Sequence, residues 1–257
     1  MNPLELYKKL PKKNCGQCKQ KTCMPFAISV IKGEAELSEC PLLTDSDIEK
    51  IRSSLTIRDW REELIKRLME EVKNVDFLKI YEGIGAKLED NDLIINCLGR
   101  DFRVSKNGEI TTKGHITPWI KILLLHYIKT SGKGDISGKW VSLSELRGGI
   151  VKIASFNRDC EEPLLELFEK NLNLTSMILN KLGASICNSF PTKYAWHIHL
   201  LPKIPILILY WPEEEGFQSK VSILFDSTAD RFLDVESLIF LVEGLVKNIE
   251  IGFSYNR

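Results

Sequence analysis

Cys15, Cys18, Cys23 and Cys40 are the residues most able to do chemistry in this chain. They stand in the text LPKKNCGQCKQKTCMPFA…ECP with the spacing C-x2-C-x4-C-x16-C. Four thiolates with a proline directly after the last form the ligand inventory of an iron–sulfur cluster. Cys15 and Cys18 flank Gly16-Gln17, so two sulfurs converge from one tight loop. Gly16 is free to take positive φ and to turn backbone N–H groups towards inorganic sulfide. Cys23 falls where a helix should begin, and a helix N-terminus favours a thiolate. The competing metal is zinc, for which C-x2-C pairs are also common ligands. Here the second pair is split, unlike the usual two-knuckle zinc spacing.

Lys8, Lys9, Lys12, Lys13, Lys19 and Lys21 crowd the same stretch, with only Glu5 opposing them. Ammonium groups beside an anionic cluster ease its reduction and offer a docking face for an acidic partner. A solvated lysine-rich end is the plainer reading.

Other residues carry weaker signals. His197 and His199 stand two apart in a strand-like run, so both rings can face one side as low-grade ligand candidates. Packing or hydrogen bonding to a partner is the simpler explanation of both. His126 sits on an apolar helical face and reads as a satisfied core histidine. Cys97, Cys160 and Cys187 are too widely spaced for a second cluster and read as buried thiols. The loop Gly132–Lys139 hints at phosphate binding, but it fails G-x4-G-K and Lys139 is followed by Trp140. Asp226, Asp230, Asp234 and Glu236 read as caps and a solvated acidic loop. No catalytic residue is assigned, because no nucleophile–base pair or paired carboxylates stand at a working spacing.

The elements that must position these residues follow from the patterning. The chain has 257 residues, zero formal net charge, 44% apolar and 27% charged residues. That describes a globular protein with no global pull towards nucleic acid or anionic membrane. The longest apolar runs, Ile122–Leu125 and Ile204–Trp211, are too short to span a bilayer. The first residues lack an apolar signal core, and the seven cysteines then argue for ligands and free thiols in the cytoplasm.

Three segments are expected: a cluster module at 1–43, connecting helices at 44–78, and a larger domain at 79–257. In the module, Phe26, Ala27, Val30 and Ile31 share a helical face, with Thr22 as N-cap and Gly33 as C-cap. Thr44 and Asp47 form a capping box for a helix carrying Ile48, Ile51 and Leu55. Asp59 opens the next, with Trp60, Leu64, Leu68, Val72 and Val75. The period then shortens, and strands are expected at Ile84–Leu88, Leu93–Leu98, Phe102–Ser105 and, after the Asn107-Gly108 turn, Ile110–Thr112. Thr117-Pro118 starts a helix. Asp159 and Asn173 are read as caps of two more. Strands follow at Tyr194–Leu200, Ile206–Tyr210 and Val221–Phe225, and a last helix runs from Asp234 to about Asn248. Grouped helices and strands imply an α+β fold with a mainly antiparallel sheet and packed helices.

The N-terminal text resembles the small [4Fe–4S] domain of the large subunit of the corrinoid iron–sulfur protein, and the matching segment of the Rnf complex B subunit. The likeness covers about residues 4–43: the four cysteines with Leu10, Pro11, Asn14, Gly16, Phe26, Ala27, Gly33 and Pro41. It implies that Cys15, Cys18, Cys23 and Cys40 bind one low-potential [4Fe–4S] cluster that exchanges single electrons with a partner redox centre. Beyond residue 43 the chain departs from both families. No D-x-H-x-x-G corrinoid signature surrounds any histidine. Residues 80–250, through LLLHYIKTSGKGDISGKWVSLSELRGG, HLLPKIPILILYWPEEEGF and ILFDSTADRFLDVESL, resemble instead an uncharacterised domain fused to this module in anaerobes.

The resulting expectation is an electron carrier or accessory protein rather than an enzyme, partnered by a redox protein. The resemblance points to a corrinoid protein or methyltransferase as that partner. One alternative is an enzyme subunit whose C-terminal domain binds a corrinoid or another small ligand. Another is a maturation or scaffold factor with a structural cluster.

Overall fold

The computed structural model describes residues 3–54, 60–214 and 216–255. The chain divides into two compact units, Met1–Lys66 and Arg67–Arg257. Leu55 and Asp59, read from sequence as a helix-face residue and a helix start, lie outside the described residues.

The first unit contains α1 (Pro3–Lys9), α2 (Cys23–Lys32) and α3 (Asp45–Ser54). The short α1 was not foreseen in the sequence. It exists because Leu6, with Leu10 just beyond its end, packs against Phe26, Ala27 and Val30 of α2. Seven residues cannot sustain a helix by propensity, so tertiary burial holds this one. Gly33 ends α2 in the left-handed region at φ 74°. Thr22 stands at the N-cap but makes no side-chain cap bond. The Cys23 N–H instead donates to Asn14 Oδ1 at 2.9 Å. The Thr44–Asp47 box forms as expected, with Thr44 N and Asp47 N donating to each other's side-chain oxygens at 3.2 Å.

α4 (Trp60–Lys73) carries the chain onward, with Leu68 and Val72 fully buried. In the second unit, α5 (Phe77–Ile80) is capped by Asp76, which accepts from Leu78 N–H. β1 (Lys87–Glu89), β2 (Asp92–Cys97), β3 (Arg100–Val104) and β4 (Ile110–Thr111) form an antiparallel meander in chain order. Asp90-Asn91 and Leu98-Gly99 have positive φ at both positions, the turn geometry that matches strand twist. The strand expected at Ile84–Leu88 is instead a turn followed by the short β1. Gly85 takes φ 68°, and the Ile84 carbonyl accepts from Tyr127 Oη at 2.7 Å.

α6 (Pro118–Thr130) is capped by Thr117 as expected. After β5 (Trp140–Val141), α7 (Ile153–Phe156) passes through a π-helical turn at Asn157–Glu161 into α8 (Glu162–Lys170). Asp159 therefore sits inside a continuous helical run and binds Arg158, and it caps nothing. α9 (Leu172–Lys181) is capped by Asn171, two residues before Asn173. β6 (Ser185–Ile186), β7 (Tyr194–Leu201), β8 (Ile204–Trp211) and β9 (Lys220–Asp226) complete a second antiparallel sheet in the order β5-β9-β8-β7-β6. β8 is buried almost throughout, as a central strand must be. The sheets join where Leu98 N–H donates to the Leu200 carbonyl at 2.9 Å.

α10 (Val235–Tyr255) closes the unit and buries Leu238, Leu241, Val242, Leu245 and Ile249 completely. At about 2 kcal/mol for each such side chain, burial outweighs helix propensity by far. The fold is α+β, with antiparallel sheets. No helix among the described residues is long and apolar enough to cross a membrane.

Candidate metal centre

The four N-terminal cysteines line one recess, together with Leu10, Pro11, Gly16 and Phe26. Each reaches it from a different local setting. Cys15 is exposed in the loop after α1, and Cys18 is half-buried. Cys23 is the first residue of α2, and Cys40 follows the 3-10 turn Leu37–Glu39. Both of these are buried within the unit's own core. No two of the seven cysteines are joined by a disulfide.

The backbone of the ligand loop is unusual. Lys12, Asn14 and Gly16 take φ 56°, 47° and 67°. Only glycine adopts this region without cost, so Lys12 and Asn14 are held there by surrounding contacts. Left-handed residues alternating along a loop turn successive N–H groups to one side, the pattern of an anion-binding nest. Asn14 is tied to Cys23 N–H, which joins the loop to the start of α2. Cys18 Sγ donates to the Gln20 carbonyl at 3.4 Å.

Four thiols facing one recess are the ligand number of a [4Fe–4S] cluster and also of a tetrahedral zinc ion. Among the described residues, no three or more His, Cys, Asp or Glu side chains gather closely enough to hold one metal ion. A cubane presents four separate iron corners and so needs thiolates that share a recess while standing apart. The recess is narrow, with a free volume of about 10 Å³.

The stretch that carries the first three cysteines is rich in lysine. Lys8, Lys9, Lys12, Lys13 and Lys21 are exposed, while Lys19 pairs with Glu39 at 3.5 Å. The Glu36 N–H, more than Lys19, holds the Glu39 carboxyl below its usual range.

The other candidate residues lie in the second unit. His197 and His199 share a face of β7, as their spacing requires, with ring centroids 4.8 Å apart at 86°. Burial, then the neighbouring His199, lowers the His197 pKa, which favours the neutral ring. His199 Nδ1 lies 3.1 Å from the Pro202 carbonyl, which can only accept, so this nitrogen carries the proton. His126 is satisfied as expected, with Nδ1 3.4 Å from Asp234 Oδ2, but it is half-buried rather than in the core. Cys97 and Cys160 are buried thiols as expected, and burial pushes the Cys97 pKa up to about 12. Cys187 is half-buried.

Asp226 departs most from its sequence reading. It is fully buried rather than part of a solvated loop. Its carboxylate accepts from Ser137 N–H at 3.1 Å, Gly138 N–H at 2.7 Å and Thr228 N–H at 3.0 Å, and from both hydroxyls. Burial opposes its ionisation, but these donors outweigh burial and keep its pKa below the usual value. The glycine-rich loop thus spends its amides on an internal carboxylate, which explains why its phosphate-loop look is only superficial. Asp230 accepts from Arg147 N–H, and Glu236 pairs with Lys152. No local signal could have revealed the Asp226 site, because its loop partners lie nearly 90 positions away.

Comparison with known proteins matches two separate stretches of the chain. Residues 76–248 match a family model described as "Domain of unknown function (DUF3786)". The chain belongs to this family. Residues 10–42 match a second model, described as "Putative Fe-S cluster", which supports an iron–sulfur cluster in the N-terminal unit. That region is also similar to the corrinoid/iron-sulfur protein large subunit of Moorella thermoacetica. The identity is 48% over 48 residues, 19% of this chain and 11% of that protein. Against the acetyl-CoA decarbonylase/synthase complex subunit gamma of Methanopyrus kandleri it is 42% over 55 residues, 21% of this chain and 12% of that one. Against the corresponding subunit of Methanosarcina acetivorans it is 36% over 86 residues, 34% and 16% respectively. The chain therefore spans only 11% to 16% of the lengths of these relatives. No solved structure matches this DUF3786 chain.

Proposed function

We propose that this protein is an iron–sulfur electron carrier in which Cys15, Cys18, Cys23 and Cys40 hold one [4Fe–4S] cluster. The observation that carries this reading is the convergence of all four thiols on one recess. When bound, such a cluster stores and releases one electron at low potential. The chain's own residues hold it, set its charge environment and present it to a partner. Cys23 and Cys40 anchor the inner side within the core. Cys15 stands at the solvent edge, the side from which a partner can approach. Lys12 and Lys13 beside it would attract an acidic protein surface.

The partner we infer is a corrinoid protein or methyltransferase. This rests on relatives named for a corrinoid/iron-sulfur protein and an acetyl-CoA decarbonylase/synthase complex. Seven cysteines without a disulfide among them suit a reducing compartment such as the cytoplasm.

Potentiometry of the reconstituted chain tests the reading. A reversible one-electron couple is expected, with electron exchange to an acidic partner that slows as salt rises. Lys12→Glu with Lys13→Glu should slow exchange at low salt and leave the couple in place. A cluster that cannot be reduced reversibly would favour a second reading, in which it only braces the fold. The burial of Cys23 and Cys40 among core residues supports that alternative.

A further inference from the structure

We propose that the second unit binds a small organic acid with a flat apolar body, in the pocket between α6, α10 and the β2–β3 hairpin. The pocket has a volume of about 420 Å³. That lies within the usual range for small-molecule sites. The inference is independent of whether the N-terminal unit carries a cluster.

The lining falls into an apolar body and a charged rim. Leu98, Phe102 and Leu123 are buried at the pocket wall. Trp119 and Phe240, from α6 and α10, stack with ring centroids 4.6 Å apart at 26°. Both are only half-buried, so the mouth keeps aromatic surface available to a flat ligand.

The rim carries Arg100, Lys247 and His115 against one carboxylate, Glu243. Arg100 is positioned by the His115 carbonyl at 3.2 Å and lies 5.6 Å from the Phe102 ring centroid. Arg100 and Lys247 are both exposed, and Lys247 stands one helical turn from Glu243, whose carboxylate it favours. Burial, then the neighbouring Asp159 carboxylate, holds the Glu243 pKa above its usual value. A cation-rich rim over an aromatic body recognises one anionic group on a flat molecule. Cys97 also lines the pocket, but a thiol with a pKa near 12 stays protonated at neutral pH. The site is built to bind and not to attack.

Gly244 supplies independent support. It lies inside α10, where glycine costs about 1 kcal/mol relative to alanine. Its backbone has no need of glycine, because its φ is not in the left-handed region. The only neighbour an added Cβ would meet is Leu98 Cδ1 at 3.1 Å, the far end of a flexible side chain. Gly252 on the same helix differs, since a Cβ there would strike Ile178 at 2.8 Å. Gly252 eases close packing, whereas Gly244 keeps pocket space open.

The test uses the full chain and titration calorimetry. Benzoate and indole-3-acetate are the acid probes. Indole-3-acetamide and tryptamine present the same ring as a neutral and a cationic partner. The acids should bind, with indole-3-acetate at least tenfold tighter than its amide and tryptamine weakest. Lys247→Gln, an exposed change, should weaken the acid several-fold and leave the amide unaffected. Gly244→Leu should abolish binding. If that variant fails to fold, Gly244→Ala should weaken binding while raising the melting temperature. The proposal is overturned if neither acid binds or if acid and amide bind equally. It is also overturned if filling position 244 leaves the affinity of a folded variant unchanged.

Discussion

The two units are held together in different ways. In the first, the residues proposed as metal ligands are also core residues: Cys23 and Cys40 pack with Leu6, Leu10, Phe26, Ala27, Val30, Leu37 and Ile51. In the second, the core is two antiparallel sheets and a helix of 21 residues, and its buried cysteines are inert thiols. The small unit buries too little to be secure alone, so ligand chemistry and folding are coupled there. The large unit needs no such support. What separates them is whether removing sulfur ligands removes structure.

The largest expected effect follows directly. Cys23→Ser or Cys40→Ser should abolish iron binding. It should also raise amide exchange across α1 and α2 to the rate of an open chain, while β7–β9 and α10 keep their protection. Hydrogen exchange read by mass spectrometry on the full chain checks this. Equal loss of protection in both units would break the distinction.

Next comes the second unit's own weak point. Asp226→Ala leaves the donors of Ser137, Gly138 and Thr228 buried without their carboxylate, at a cost of about 3 kcal/mol. Denaturant unfolding of the full chain should show a lower midpoint for the second unit, with the first unit's cluster spectrum intact.

A smaller effect concerns pH. The His126 contact, then the Ser237 N–H, hold Asp234 down to about 2 from an ordinary 3.8. A depressed carboxylate stabilises the fold above its unfolded value and loses that contribution as pH falls through its folded value. Stability of the second unit should therefore be full above pH 4 and fall towards pH 2. Asp234→Asn should flatten this slope. Its cost at neutral pH should be about 1 kcal/mol, since the site is half-exposed and the asparagine can still cap α10. The smallest effect is a gain: Gly244→Ala should add up to about 1 kcal/mol to the second unit alone.

Much of this was legible in the sequence where one stretch of chain decides the outcome. The Thr44–Asp47 box, the Thr117-Pro118 start, the Asn107-Gly108 turn and the apolar period of β7–β9 and α10 are all local signals. Errors arose where distant residues decide. Ile84 looked like a strand residue because it is apolar, yet it is buried as the anchor of a turn that binds Tyr127. Asp159 precedes an apolar run like a cap, but helix α7 reaches past it through the π-helical turn. α1 has too few apolar residues to announce itself. The four cysteines were legible as a set from their spacing. The left-handed backbone at Lys12 and Asn14 was not, because neither residue type demands it.

The most direct measurement is an iron and acid-labile sulfide count on the anaerobically reconstituted full chain, with an electron paramagnetic resonance spectrum before and after reduction. The account predicts four irons and four sulfides per chain, a signal that appears on reduction, and loss of both in Cys15→Ser, Cys18→Ser, Cys23→Ser and Cys40→Ser. One zinc per chain without sulfide, or iron that survives those substitutions, would contradict it.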